Sequence, residues 1–362
     1  MFRTGQEPDG PLSIRRRILS LPTLVSLALA AAFLIFLVTR FDLDFRATWS
    51  HIRGSDPWLV AAAFLVHYTT FPFRGARWQR LLRNVSGQDQ ATDATGSPVP
   101  SPPVPSPPVP SIVYCSQLVL LGWFVNSVGW FRLGDVYRAY LYRVEQAASF
   151  SRTIGTLLAE RILDAVLVAA LLLAVTPFLV GGDNASWVVA AMGVALVAIL
   201  GSALLALVWA KSLADRVLPD WLAVRYRRFR DGTLGSFQRV PLLTFLGLLG
   251  WLAEVFRLYL VGTALGVDLS LPMVTFVALA SSLLTLAPTP GGVGVVESGV
   301  VGLVVRLSGL SLDAAAAVVV VDRAISYVSV ILLGAALFLV RLVVNPAKGA
   351  TTAPGPLPND NL

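Results

Sequence analysis

The sequence predicts an all-α polytopic membrane protein, and its composition and its long apolar stretches support this fold class. Hydrophobic residues make up 56% of the 362 residues, and charged residues make up only 14%. The mean hydropathy is +0.72, whereas a soluble domain carries about 25% charged residues. Several apolar stretches also approach the roughly 20 residues that a helix needs to cross a bilayer. A soluble globular fold is therefore excluded.

Six apolar stretches are predicted to cross the membrane as full spans. They are Leu21–Val38, Trp58–Phe73, Ile154–Val180, Trp187–Trp209, Leu242–Leu265 and Ala314–Val340. The first follows three arginines and is not followed by a small-residue cleavage site, so we interpret it as an uncleaved helix behind a cytoplasmic N-terminus, residues 1–20. The Lys211–Arg239 segment is predicted to be the most basic cytoplasmic loop.

Two further apolar stretches are predicted to be re-entrant hairpins. Ile112–Phe131 has basic clusters on both flanks, and both clusters stay in the cytoplasm only if this stretch enters the bilayer and returns. Leu271–Leu307 is interrupted by a Pro-Gly-rich run, Pro288–Gly294, which membrane proteins tolerate only where protein or water surrounds it. Eight or nine simple spans remain the alternative.

The helical domain is predicted to cover residues 21–344, with one insertion and one tail outside the membrane. Residues 84–111 form a flexible insertion, because Gly96–Ser111 reads GSPVPSPPVPSPPVPS and cannot pack a core. Residues 345–362 are predicted to be disordered.

An internal repeat is predicted from charged positions that coincide when the chain is shifted by 162 residues. The coinciding pairs are Asp135 with Glu297, Glu160 with Asp322, and Arg161 with Arg323. The first repeat covers about residues 112–209 and the second about 271–344. Three crossings separate the two copies, so the second copy is inverted, as in many secondary transporters.

Seven charged residues fall inside predicted membrane helices, where each costs about 2.5–3.5 kcal/mol if it faces lipid. They are Glu160, Arg161, Asp164, Glu254, Arg257, Asp322 and Arg323. Two interpretations remain open. The residues hold the bundle together as interhelical salt bridges, or they line a polar cavity whose arginines bind an anionic group such as phosphate.

Glycine-containing segments beside these charges complete the predicted binding site. Backbone N–H groups in such segments can point at an anion, although plain interhelical turns are the alternative. The candidate substrate-binding residues are Arg132, Asp135, Arg138, Glu160, Arg161, Asp164, Glu254, Arg257, Gly291, Gly292, Gly294, Glu297, Asp322 and Arg323. No residue is proposed as catalytic. We interpret Arg77-Trp78 as an interfacial anchor of the second helix.

Cysteine and histidine are too rare to predict a metal centre. The single Cys115 excludes an intrachain disulfide and a multi-cysteine zinc site, and we expect it to pack in the core. Of the two histidines, we expect His67 to be packed and neutral and His51 to be exposed. We therefore expect no metal and no cofactor.

The motifs described above resemble those of the lysylphosphatidylglycerol synthetase transmembrane-region family, whose members are also described as flippase-like. The matching motifs, in order, are Arg77-Trp78, Arg132-Leu133-Gly134-Asp135, Glu160-Arg161, Pro290–Gly294 and Arg323. The family's usual proline before the first Gly-acidic motif is absent here. The resemblance implies lipid handling: in bifunctional relatives this region moves an aminoacylated phospholipid between leaflets, and a separate soluble domain makes that lipid.

These observations predict a lipid translocator whose partner is a membrane lipid with an anionic phosphate headgroup. The net charge is +7, and almost all of the positively charged residues are arginines. Basic residues of this kind are retained in the cytoplasmic loops of membrane proteins, so no nucleic-acid partner is expected. We expect a bacterial inner (plasma) membrane protein with both termini in the cytoplasm. A membrane enzyme on a lipid-phosphate or polyprenyl-phosphate substrate is one alternative. Another is a non-catalytic subunit that works with a lipid-modifying or glycosyl-transferring enzyme.

Overall fold

The computed structural model describes residues 45–86, 109–129, 132–179, 202, 219–287 and 289–344. Within these ranges the chain is helical and contains no β-strand. Several predicted segments lie outside the described residues: the N-terminus 1–20, the spans Leu21–Val38 and Trp187–Trp209, most of the insertion 84–111, and the tail 345–362.

The described residues form eleven α-helices. In chain order these are α1 Phe45–Arg53, α2 Pro57–Ser86, α3 Ile112–Val128, α4 Gly134–Gln146, α5 Phe150–Leu179, α6 Asp220–Gly235, α7 Val240–Ala264, α8 Leu271–Leu284, α9 Val295–Ser308, α10 Leu312–Arg323 and α11 Ser329–Val344. A 3₁₀ turn at Pro290–Gly292 lies between α8 and α9. A π-helical turn at Ala324–Val328 joins α10 to α11 as one rod.

Three of the described helices are long and apolar enough to cross a membrane. They are α5, α7 and the Leu312–Arg341 part of the α10–α11 rod. Each contains one of the spans predicted from the sequence, so the helical membrane fold is confirmed. The predicted span Trp58–Phe73 lies within the 30-residue helix α2. The total number of crossings stays a prediction.

Helices α3 and α4 form the first hairpin, so the predicted bounds of this hairpin are wrong: Ile112–Val128 is one helix, and the chain returns along Gly134–Gln146. A side-chain hydrogen bond fixes the tip of the hairpin. Asn126 Oδ1 accepts a hydrogen bond from the Gly134 amide at 2.7 Å. Gly134 also meets Gly122 so closely that a Cβ on Gly134 would overlap the Gly122 carbonyl oxygen. At the other end of the hairpin, the rings of Tyr114 and Tyr142 lie 6.5 Å apart. The two helices are therefore antiparallel.

Helices α8 and α9 form a second hairpin, whose tip contains three glycines with positive φ. Gly291, Gly292 and Gly294 have φ values of 59°, 71° and 88°, a region that other residues rarely adopt. The Gly294 amide donates a hydrogen bond to Glu297, which lies in the first turn of α9. Leu284 at the end of α8 packs where a Cβ on Gly299 would lie.

The tip of the first hairpin contacts both the tip of the second hairpin and the α10–α11 rod. Arg132 Nη1 donates to Thr285 Oγ1 at 3.1 Å, and the Tyr327 hydroxyl donates to the Ser127 carbonyl at 3.0 Å. The helices that follow the hairpins are also in register. Phe150–Leu179 and Leu312–Arg341 are offset by 162 residues at both ends, which is the shift that aligns the charged residues in the sequence.

Two helices were not expected from the sequence. Most of the segment predicted as a basic loop, Lys211–Arg239, lies in α6 where the structure describes it, so that prediction is wrong for residues 220–235. Gly155 on α5 and Gly232 on α6 allow the two backbones to touch, and this close packing supports a helix whose surface is basic. Helix α1 is short and packs against α10.

The close approach of α3 and α4 predicts that Gly134→Ala destabilises the protein. The added Cβ would overlap backbone and force the hairpin apart, which costs about 1–3 kcal/mol. Thermal unfolding in detergent should show a lower melting temperature. Gly302→Ala on α9 is the matched control, because nothing lies within 4 Å of the added Cβ and alanine favours a helix by about 0.5–1 kcal/mol. An equal melting temperature for both variants would contradict the packing described.

Candidate functional site

The first cluster of charges centres on Glu160 and Asp164, one helical turn apart on α5. Arg77 of α2 reaches both, with Nη2 3.3 Å from Glu160 Oε1 and 2.8 Å from Asp164 Oδ1. Arg138 of α4 contacts the other oxygen of Glu160 at 3.2 Å. Arg77, Arg138 and Glu160 are at most 1% exposed. Paired charges thus tie α2 and the first hairpin to α5.

Arg74 extends this cluster toward the middle of the bundle. Its guanidinium lies 3.7 Å from Asp164 and between the rings of Trp123 and Trp251, at 5.2 and 5.1 Å from the ring centroids. The Trp251 indole donates to Asp164 Oδ1 at 3.2 Å. Cation–π contacts of this kind are strongest when the cation is desolvated, so the two rings hold a guanidinium whose ion pair is with Asp164.

One edge of the first cluster is open. Arg161 on α5 pairs with Asp135 on α4, with Nε 3.0 Å from Oδ2, and their side chains are 38% and 31% exposed. Arg132 at the tip of the first hairpin is also exposed, and it interacts electrostatically with both residues. These three side chains are therefore the part of the first cluster that another molecule can contact.

A second cluster of charges is centred on Arg257 of α7. Arg257 pairs with Glu254 on its own helix and with Asp322 on α10, with Nε 2.8 Å from Oδ1. Its Nη1 is also 3.0 Å from Nδ1 of the fully buried His67 on α2. Because a guanidinium only donates hydrogen bonds, this His67 nitrogen acts as an acceptor. The geometry therefore favours the neutral imidazole.

A third, smaller cluster lies at the second hairpin. Arg323 Nε is 2.6 Å from Glu297 Oε1, and its Nη2 donates to the Gly291 carbonyl at 3.1 Å. The same guanidinium stacks over Tyr327, whose hydroxyl contacts the first hairpin. Arg323 therefore connects the tip of the second hairpin to the α10–α11 rod and, through Tyr327, to the first tip.

The three clusters lie at mid-depth of the bundle. At about 1.5 Å per helical residue, Glu160 is about 15 Å from the start of α5, and Asp322 is about 15 Å from the start of α10. The hydrocarbon core of a bilayer is about 30 Å thick. Helices α5 and α10 run from opposite ends of the bundle, since α5 begins just after Glu145 and Arg341, at the far end of the α10–α11 rod, pairs with Glu145.

The charges of these clusters do not balance. The guanidinium groups are those of Arg74, Arg77, Arg132, Arg138, Arg161, Arg257 and Arg323, and the carboxylates are those of Asp135, Glu160, Asp164, Glu254, Glu297 and Asp322. Seven cations against six anions leave one positive charge. The first cluster has two more guanidinium groups than carboxylates, the second has one more carboxylate than guanidinium groups, and the third is balanced. Two arginines of the first cluster, Arg132 and Arg161, border its open edge, so part of the surplus positive charge lies there.

The structure brings most of the predicted site residues into these clusters, but it gives them different surroundings. Arg138 and Glu160 are enclosed by protein, whereas Arg132, Asp135 and Arg161 border the open edge. Gly291 offers its carbonyl to Arg323, and the positive φ values of Gly292 and Gly294 shape the tip of the second hairpin. Among the described residues, no three His, Cys, Asp or Glu side chains are grouped as a metal site.

Sequence reasoning missed Arg74 and Arg77 and misinterpreted Trp78. The Arg77-Trp78 pair is completely buried, with Trp78 beneath the Arg138 guanidinium at 4.4 Å, so the prediction of an interfacial anchor is wrong. Arginines recur every third residue along α2, at positions 74, 77, 80 and 83, so each lies next to the following one in a stripe that winds around the helix. That stripe was the available signal. The predictions of buried Cys115 and exposed His51 are confirmed.

Comparison with known proteins gives a family match over most of the chain. Residues 23–334 match the profile described as the lysylphosphatidylglycerol synthase TM region. A UPF0104 membrane protein of Methanocaldococcus jannaschii is 31% identical over 222 residues, covering 60% of this chain and 94% of that protein. A UPF0104 membrane protein of Methanothermobacter thermautotrophicus is 25% identical, covering 86% of this chain and 91% of the relative.

A third relative is longer than this chain. Glycosyltransferase AglD of Haloferax volcanii is 27% identical to this chain over 362 aligned positions. The match covers 87% of this chain but only 54% of AglD, so the chain spans about half the length of that protein. All three relatives come from archaea, and the bacterial source suggested by composition stays a prediction.

The buried pairing predicts that Arg77→Gln strongly destabilises the protein. Removing this guanidinium takes a partner from both Glu160 and Asp164, and breaking a buried ion pair costs about 3–5 kcal/mol. A lower melting temperature in detergent measures the effect. The double variant Arg77→Gln/Glu160→Gln should recover part of the loss, because it removes one unpaired carboxylate. Arg143→Gln, an exposed arginine on α4, is the control. If Arg143→Gln and Arg77→Gln lower the melting temperature equally, the described role of Arg77 is wrong.

Proposed function

The chain belongs to the lysylphosphatidylglycerol synthase transmembrane-region family, and from this premise we propose that it moves a phosphate-bearing lipid between the two leaflets of a membrane. The lipid's phosphate contacts Arg132 and Arg161 at the open edge of the first cluster. Its acyl or prenyl chains stay in the hydrocarbon phase. The proposal follows the interpretation of the buried charges as an anion site.

The surplus positive charge at the open edge is the observation that carries this proposal. A guanidinium without a matching carboxylate is expensive inside a membrane, and a phosphodiester with one negative charge would balance the seven arginines and six carboxylates named above. Guanidinium groups bind phosphate oxygens in pairs because of their planar fork. The enclosed residues Arg77, Arg138 and Glu160 hold the framework and do not contact the lipid.

The contacts between the hairpin tips support a passage rather than a static binding site. The tips meet through the hydrogen bond of Arg132 with Thr285, and Tyr327 of the α10–α11 rod adds a hydrogen bond to Ser127 of the first hairpin. Inverted repeats with broken elements at the midplane are typical of transporters that expose one site to each side in turn. We propose that α3–α5 and α8–α11 form such a repeat and that the tips separate when the headgroup passes.

The arginine-rich end of the bundle is proposed to face the cytoplasm. Arg80, Arg83, Arg152, Arg239 and the arginines of α6 lie at this end, whereas Asp56 and Asp268 lie at the other. Basic residues remain on the cytoplasmic side during membrane insertion. The α10–α11 rod also ends here, because Arg341 pairs with Glu145 at the end of the first hairpin, so the C-terminus is proposed to be cytoplasmic.

A second candidate is a membrane module that works with glycosyl transfer on a lipid phosphate. The match to glycosyltransferase AglD over 87% of this chain favours it. The shared chemistry is again the phosphate, so the open edge would hold the lipid while another protein or a separate domain transfers the sugar. Formation of a glycosylated lipid, without exchange between leaflets, would favour this second candidate.

The translocator proposal predicts that Arg161→Gln slows lipid exchange at least about ten-fold, since a charged hydrogen bond contributes roughly 1.5–3 kcal/mol. The assay uses liposomes that contain the purified protein and acyl-labelled fluorescent phosphatidylglycerol. A quencher added outside bleaches only the outer leaflet, so further loss of fluorescence measures exchange. The wild-type protein should exchange label faster than protein-free liposomes do.

Arg306→Gln is the matched control for this experiment. It removes an exposed arginine in the last turn of α9, so its exchange rate should equal that of the wild type. Equal rates for wild-type and protein-free liposomes, or full activity in Arg161→Gln, would contradict the proposal.

A further inference from the structure

A cavity of about 290 Å³ lies at the arginine-rich end of the bundle, outside the three clusters. Arg80 and Arg83 of α2 form one wall, and Arg239 at the start of α7 forms another. The remaining lining residues are Asn84, Gln238, Leu242 and Leu243. The cavity therefore has an apolar floor at the buried Leu243 and a strongly basic rim, and it is large enough for a small headgroup.

The three arginines of the cavity are not neutralised by protein. Within the described part of the chain, no carboxylate lies within ion-pair distance of Arg80, Arg83 or Arg239. Every arginine of the first cluster that faces inward, by contrast, contacts Glu160 or Asp164. Three uncompensated guanidinium groups around one concave surface attract a group with two or more anionic oxygens.

The polar rim of the cavity is held in place by the fold. The Asn84 amide donates to the carbonyls of Ser236 and Gln238, both at 2.9 Å, and so ties the end of α2 to the turn before α7. The backbone of Arg239 adopts the left-handed conformation, with φ 52° and ψ 43°, which is unfavourable for residues other than glycine. This backbone conformation therefore costs free energy, and it places the Arg239 side chain at the cavity.

The cavity shares the α2–α7 seam with the first cluster but is separate from it. Arg77 lies one turn deeper than Arg80 on α2, and Gly247 lies one turn deeper than Leu243 on α7. A Cβ on Gly247 would meet Arg77 Nη1, so the guanidinium fills the seam at this level. Buried Leu243 is a further barrier between the cavity and the paired carboxylates.

We propose that this cavity binds a phosphate oxyanion through Arg80, Arg83 and Arg239, either in the headgroup of an anionic phospholipid or free in solution. The site is distinct from the open edge at Arg132 and Arg161 and does not depend on lipid translocation. Its position at the end of two long helices puts it at the level of the headgroups. The apolar floor at Leu243 suits the glycerol part of a headgroup, and the arginines bind its phosphate.

Native mass spectrometry of the full chain, released from detergent, tests this proposal with three probes. These are short-chain phosphatidylglycerol, short-chain phosphatidylcholine as a zwitterionic comparison, and inorganic phosphate. The double variant Arg83→Gln/Arg239→Gln should lose at least ten-fold in apparent affinity for phosphatidylglycerol. The double variant Arg143→Gln/Arg225→Gln is the control, since it removes two exposed arginines elsewhere in the described part of the chain.

The single variant Arg239→Gly separates binding from folding. Glycine accepts the left-handed conformation, so the melting temperature should be kept or raised while the affinity falls. Competition by inorganic phosphate at similar concentration would identify a free anion as the ligand, and preference for phosphatidylglycerol would identify a headgroup. Equal losses in both double variants, or unchanged affinity in Arg83→Gln/Arg239→Gln, would overturn the proposal.

Discussion

The pairing of charges inside an apolar helix bundle is the constraint on which the rest of this structure depends. A lone charge at mid-depth of a membrane is costly, so each guanidinium brought there needs a carboxylate from another helix. Glu160 and Asp164 meet this need for Arg77, Arg138 and Arg161, and in doing so they fix α2, α4 and α5 relative to one another. Arg257 does the same for α7 and α10 through Asp322.

The clusters are thus structural salt bridges and, at one exposed edge, a charged surface. The salt-bridge interpretation of the sequence describes the enclosed pairs, and anion binding at the exposed edge stays a proposal.

Close contacts at glycines are the second requirement, since the ion pairs form only if the backbones approach. Gly122 and Gly134 allow the first hairpin to close, and Gly247 leaves room on α7 for the Arg77 guanidinium. The positive φ values at the tip of the second hairpin likewise bring the Gly291 carbonyl within reach of Arg323, which donates a hydrogen bond to it. Backbone geometry and electrostatics are therefore coupled: opening a hairpin would separate charges that pair across it.

Much of the fold could be predicted from the sequence because a membrane helix has a simple signature of length and composition. Helices α5 and α7 lie where hydropathy placed the spans Ile154–Val180 and Leu242–Leu265 to within a few residues. Glu160 and Asp322, which are related by 162 residues, lie at equivalent positions within α5 and α10. The sequence could not reveal which partner each charge selects. Arg77 lies near other arginines and beside a tryptophan, a pattern that is typical of an interface, and only the packing of α2 against α5 and α7 shows that it is buried. Helix α6 was missed for a similar reason, since its basic surface resembles that of a loop and its support comes from the contact of Gly232 with α5.

The surplus of positive charge beside Arg132 and Arg161 connects this architecture to the proposed lipid translocation. A structure of the protein in lipid nanodiscs that contain phosphatidylglycerol, at a resolution that shows headgroups, tests this claim most directly. The account predicts a phosphate within hydrogen-bond distance of Arg132 or Arg161, with the pairs of Arg77 and Arg138 to Glu160 intact. The claim would be contradicted if lipid phosphates lay only around the outside of the bundle while both arginines bound protein carboxylates alone.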